Sequence, residues 1–118
     1  MFHEKLVVWQ KSCDLAVQIF KLTASITDFG FRDQITRSSL SIASNIAEGI
    51  EKPTINDKKK YLYIAKGSLA ELKTQLIIGE RIGYLDFHSV KNYRQEAELI
   101  DRMIIGLIKK VESRQKTS

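Results

Sequence analysis

One cysteine and one proline are all that this chain of 118 residues contains, and each scarcity constrains the fold. A single thiol, Cys13, rules out an internal disulfide, and its place among Trp9, Ala16 and Phe20 on an apolar helical stripe assigns it to the core. With Pro53 the only proline and six glycines in the whole length, little interrupts long helices. The two histidines, His3 and His88, do not follow a glutamate by three residues, so the Glu-x-x-His pairs of a carboxylate-bridged di-iron bundle are absent. There is likewise no metal-ligand cluster, phosphate-cradling glycine loop, nucleophile elbow or cysteine–histidine pairing. The expectation is a protein with no catalytic residues, no metal and no cofactor. The longest apolar run, Met103 to Ile108, is far too short to span a bilayer. The opening MFHEKLVVWQKS has an early acid and no long apolar stretch, so it does not read as a signal peptide, and a cytoplasmic location follows by default.

What is present is amphipathic helix. Four segments carry apolar residues at alternating steps of three and four, which a chain of 118 residues accommodates as one domain, ordered except for its last few residues. Helix one is expected over Lys5–Ile26. Val8, Leu15, Ile19, Leu22 and Ile26 form one stripe, and Leu6, Trp9, Cys13, Ala16, Phe20 and Ala24 form a second, more apolar surface than one side of a small monomer uses. The surplus points to a subunit interface. Helix two covers Phe29–Ile50, capped by Thr27 or Asp28, and helix three runs from a cap at Asn56 or Asp57 to Ile82, where Gly83 suits a left-handed stop. Helix four spans Asp86–Glu112, with Val90, Tyr93, Ala97, Ile100, Ile104, Leu107 and Val111 inward and Lys91, Gln95, Glu98, Arg102 and Lys109 outward. Short connections between long helices make neighbours antiparallel, so the fold class is all-α, an up-down-up-down four-helix bundle.

Helix two carries an unusual polar face. Gln34, Arg37, Ser38, Ser41, Ser44, Asn45 and Glu48 are mostly short hydroxyls and amides, where a merely solvated face would be rich in Lys and Glu. Such side chains permit close approach, which marks a recognition or assembly face. Arg37 and Glu48 share it but lie about 16 Å apart along the axis, too far to pair. Each is expected to meet the Ser68, Glu71 and Gln75 side of helix three or a neighbouring subunit, in a polar network that fixes register. Gly67 beside Ser68 suggests close helix packing there.

The net charge is +5. Lys58, Lys59, Lys60, Lys66 and Lys73, together with Arg37, are candidate phosphate contacts for RNA or DNA, against the alternative of a solvated lysine surface that only keeps the protein soluble. Trp9 and Tyr84 are expected as core or interface anchors, and exposed Tyr63 as a candidate for base stacking.

The segments VVWQKS, GFRDQITRSSLSIASNIAEGIEK and YLYIAKGSLAELKTQLIIGERIGYL resemble the bacterial four-helix-bundle family known from reading frames in intervening sequences of large-subunit ribosomal RNA genes, over nearly the whole chain. The resemblance implies a left-handed antiparallel bundle that assembles into a ring, a homopentamer in relatives. Those relatives include an accessory protein of diversity-generating retroelements that engages nucleic acid and a reverse transcriptase. The family's polar pattern falls on Gln34, Arg37, Ser41, Asn45, Glu48 and Gly49 in helix two, and on Gly67, Ser68, Glu71, Leu72 and Gln75 in helix three. Thr36 replaces one of two adjacent arginines common in relatives, which weakens a phosphate site there, and Ala43 replaces a proline, which implies a straighter helix two. Two functions are compatible with these features: an oligomer that binds nucleic acid through a repeated basic surface, and a protein-assembly scaffold.

Overall fold

Three of the four long helices begin where a side chain takes over the hydrogen bonds that free amides lack, and the first begins after Leu6 without such a cap. In the computed structural model, which describes residues 3–117, a short 3-10 turn at His3–Lys5 precedes α1 (Val7–Thr23), α2 (Phe29–Glu51), α3 (Ile55–Arg81) and α4 (Phe87–Thr117). Asp28 caps α2 by accepting from the Phe31 amide at 3.1 Å, and Asp86 caps α4 by accepting from Ser89 at 3.0 Å. The cap of α3 is Thr54, whose hydroxyl accepts from the Asp57 amide at 3.1 Å. This corrects the expectation of Asn56 or Asp57: Thr54 lies in extended backbone just after Pro53, leaving both within the first turn.

Helix ends are closed by cations and one glycine. Lys58 Nζ donates to the Ile50 carbonyl at 2.7 Å, holding the last turn of α2, and Arg32 donates to the Ala24 and Ile26 carbonyls just past α1. Accordingly α1 stops at Thr23 rather than Ile26. Gly83 takes φ +82°, as its position after α3 requires, and Leu85 folds back so that its amide reaches the Gly79 carbonyl. At the other end α4 stays helical to Thr117, past the expected Glu112, and Ser118 lies outside the described residues.

The architecture is all-α, and among the described residues there is no strand. Cross-helix contacts give the directions. His3 and Glu51 join the start of α1 to the end of α2, Ser68 meets Ser41, and Tyr93 reaches Gln18. Lys59, Lys66 and Lys73 pair with Glu112, Asp101 and Asp101's neighbour one turn earlier, Glu98, so positions rise along α3 as they fall along α4. All these pairings require antiparallel neighbours, and α4 returns to α1 to close an up-down-up-down bundle of 52 × 20 × 20 Å. Its axis is filled by fully enclosed side chains, among them Ile19, Ile35, Ile42, Ile46, Leu69, Leu72, Leu76, Ile100 and Ile104. The core also contains hydroxyls that the apolar periodicity does not reveal. Ser12, Thr23 and Ser39 are buried and satisfied within their own helices, donating to the carbonyls of Val8, Ile19 and Thr36.

Candidate assembly and nucleic-acid surfaces

Between α2 and α3 the short polar residues form one open groove of about 350 Å³, lined by Gln34, Arg37, Ser38, Ser41, Ser68, Glu71 and Gln75 among others. Seven of the residues singled out in the sequence are therefore brought together. Ser41 Oγ is the hub, lying 2.8 Å from Asn45 Nδ2 and 2.9 Å from the Ser68 hydroxyl. Asn45 also donates to the Ser41 carbonyl, while the buried Gln75 Oε1 has no hydrogen-bond partner. This network ties α2 to α3 across the groove and fixes their register. Glu48 is exposed and stands outside it. Gly49, one residue on, lies in the α2–α3 contact: a Cβ there would stand 3.0 Å from Tyr61 Cβ and 3.1 Å from the Lys58 carbonyl oxygen.

Gly67 is different. It is exposed, and a Cβ there would meet nothing within 4 Å, so the close packing expected at this position does not occur within the chain. The reason is angular: Gly67 points away from the axis, whereas Leu69 and Leu72 on the same helix point toward it.

The candidate phosphate contacts are mostly engaged by their own protein. Lys59 pairs with Glu112 at 3.0 Å, Lys66 with Asp101 at 2.8 Å, and Lys73 with Glu98 at 2.7 Å. The Lys73 hydrogen bond holds the Glu98 carboxyl below its ordinary value. Lys58 is spent on the end of α2, and Arg37 bonds the Asp33 carboxylate one turn earlier at 2.8 Å. Lys60 is exposed near the Tyr61 ring. Further exposed cations outside ion pairs lie on the outer side of α4. Lys91, Arg94, Arg102 and Lys109 are exposed there and make no ion pair among the described residues. Lys91, Arg94 and Arg102 line an open groove against α3, beside the exposed Phe87 ring. The outward spacing of Lys91, Arg102 and Lys109 was visible in the sequence. That these stay outside ion pairs while Lys59, Lys66 and Lys73 are paired was not, because it depends on which acids face α3.

On the opposite side of the bundle, α1 and α2 enclose an apolar groove of about 460 Å³ with almost no polar surface. Its floor is small, formed by Cys13, Ala16 and Ala43, and its walls are Val17, Phe20 and Leu40, each about half exposed. The surplus apolar surface expected on α1 is therefore real. Cys13, however, lines this groove half-buried instead of joining the core, because the stripe it shares with Phe20 faces outward. Burial, and then the Asp14 carboxylate, push its thiol pKa up.

The two aromatic anchors also differ from one another. Trp9 packs partly buried against the core with His3 edge-on to its ring at 5.2 Å. Tyr84 is an exposed clasp: its ring meets Phe31 and its hydroxyl donates to Asp28 Oδ2 at 2.9 Å. Among the described residues, no three His, Cys, Asp or Glu side chains gather as a metal ion would need. None of the described helices is long and apolar enough to cross a membrane.

These four amphipathic helices, with their small polar face on α2, match the model of the 23S rRNA-intervening sequence proteins over residues 4–106. The chain belongs to that family. A crystal structure of a protein of unknown function from the S23 ribosomal protein family of Bacteroides thetaiotaomicron superposes with a TM-score of 0.82 at 28% identity, covering 87% of this chain and 99% of that one. Neither description names an enzymatic activity. Among curated proteins, none matches the chain.

Proposed function

We propose that this protein is a non-enzymatic bundle that associates with copies of itself and presents a repeated basic surface to RNA or DNA. The observation that supports it is the opposition of two grooves. The α1–α2 groove is apolar and open, the kind of surface that association buries, and the α3–α4 groove across the bundle carries Lys91, Arg94 and Arg102. Association through the first leaves the second exposed in every copy, so a modest +5 per chain is multiplied along one assembly.

The test has two parts. Light scattering after size exclusion should find an oligomer for the natural protein and a monomer for Phe20→Glu, which places a charge in the apolar groove. Mobility-shift assays on structured RNA and duplex DNA at two salt concentrations should show binding that weakens steeply with salt. Each phosphate-contacting cation contributes about 0.9 to the log–log salt slope on duplex DNA, so the triple change Lys91→Gln, Arg94→Gln, Arg102→Gln should flatten it by about 2 to 3 per engaged copy. Binding unchanged by the triple change would refute the assignment to α4. Loss of binding in a variant of Lys60 and Arg37 alone would return it to the α2–α3 side.

A second reading, a scaffold for other proteins with no nucleic-acid role, is favoured by the ion pairs of Lys59, Lys66 and Lys73, which spend charge on bundle stability. An oligomer that fails to bind either nucleic acid at low salt would establish it over the first. Whether a reverse transcriptase or another protein docks on the assembly belongs to this second reading.

A further inference from the structure

Gly67 is the starting point. A glycine inside a helix costs about 1 kcal/mol relative to alanine. Gly49 and Gly79 offset that cost within the chain, since a Cβ at Gly49 would press on Tyr61 and Lys58 and one at Gly79 would lie 2.7 Å from Leu85 Cδ1. Gly67 has no such neighbour. On the same outward side of α3 stands Ile64, 42% exposed, with Glu71 one turn beyond the glycine. Glu71 makes no ion pair among the described residues. An apolar knob, a bare stretch of backbone and an unpaired acid therefore lie in a row.

The α1–α2 groove is complementary to that row in shape, length and charge. Its small floor and large walls accept a protruding side chain. Lys21 stands at one end, also without an ion pair among the described residues, and Cys13 at the other. At 1.5 Å per residue Cys13 to Lys21 is about 12 Å and Ile64 to Glu71 about 10 Å, so both ends match when the two helices run the same way. Gly106 on α4 is equally uncrowded, but it lies among Arg102, Lys109 and Lys110 and offers no apolar knob.

We propose that the α1–α2 groove of one copy holds the Ile64–Glu71 ridge of α3 from a second copy, with Glu71 against Lys21 and Ile64 against Cys13. This rests on the self-association proposed above and names its contact. Because groove and ridge are different surfaces, every copy uses both, head to tail, and the arrangement extends beyond a dimer or closes on itself.

Cys13 is the sole cysteine, which supplies a direct test. In Ile64→Cys, a short bismaleimide cross-linker should join Cys13 of one copy to the new thiol of the next and give a ladder of dimers, trimers and larger species. Natural protein and Gly106→Cys should give no ladder. A groove-to-groove contact would instead cross-link the natural protein to dimers through Cys13 alone, and that result overturns the proposal. Independently, Lys21→Glu and Glu71→Lys should each weaken self-association by about tenfold or more, and the double exchange should recover most of it. A double exchange no better than its parents overturns the pairing even if Ile64→Cys fails to assemble. If light scattering finds the natural protein monomeric, the assembly reading falls; if it is oligomeric without the ladder and without rescue, only this contact falls.

Discussion

Alanine at Gly49 and alanine at Gly67 should shift stability in opposite directions, although both replace a helical glycine. At Gly49 the new Cβ would stand 3.0 Å from Tyr61 Cβ and 3.1 Å from the Lys58 carbonyl oxygen, atoms fixed to the α3 backbone that cannot swing away. Such overpacking costs about 1 to 3 kcal/mol, and the gain in helix preference returns about 1 at most. The net expectation is a loss of up to about 2 kcal/mol. At Gly67 there is nothing to press against, so the helix preference acts alone and the change should stabilise the monomer by about 1 kcal/mol. Each kcal/mol corresponds to about 4 °C in Tm for a domain of this size. Urea and thermal unfolding should be followed by circular dichroism in a Phe20→Glu background, where concentration-dependent assembly does not add to the readings. Equal or greater stability for the Gly49 variant would refute the close approach of α2 and α3. In the natural background the Gly67 variant should be the more stable monomer and the poorer oligomer.

Three further outcomes follow from the packing and the caps. Leu69→Ala empties a fully enclosed position and should lower unfolding free energy by about 2 to 5 kcal/mol, read as a lower urea midpoint. Ser68→Ala removes the hydroxyl that joins Ser41 across the α2–α3 groove and should cost about 1 kcal/mol while leaving the helical signal intact. Asp28, held down first by the Phe31 amide and then by the Tyr84 hydroxyl, Asp86 by Ser89, Glu51 by His3 and Glu98 by Lys73 all titrate below their ordinary values. Since the folded pKa lies below the unfolded one in each case, their contribution is complete above the ordinary carboxylate range and is lost as pH falls through and below it. Thermal midpoints should therefore decline on acidification, and the decline should be shallower in Asp28→Asn.

How much of this was legible depends on whether a feature is local or relational. Ile100, Ile104, Leu69 and Leu76 are enclosed as their three-four spacing dictates, because periodicity alone decides which side of a helix faces an axis. Asp28 and Asp86 cap their helices for equally local reasons. Cys13 went the other way: two apolar stripes on α1 compete for one core, and only the packing of α2 shows that Val8, Leu15 and Ile19 occupy it. The ion pairs of Lys59, Lys66 and Lys73 needed the register of α4 against α3, which no single helix encodes. Of the polar set, Gln34, Arg37, Ser41, Ser68, Glu71 and Gln75 do share a groove. Glu48 lies beyond it, turned to solvent beside Gly49, which meets α3.

The contact between His3 and the chain's sole indole has a practical use. His3 lies 2.8 Å from Glu51 and edge-on to Trp9, so the opening turn is fastened to the end of α2 beside the one natural fluorophore of its kind. Emission from that ring reports on a latch as well as on the interior. A change in tryptophan intensity at constant helical content would record the leading turn coming undone, observed without any added label.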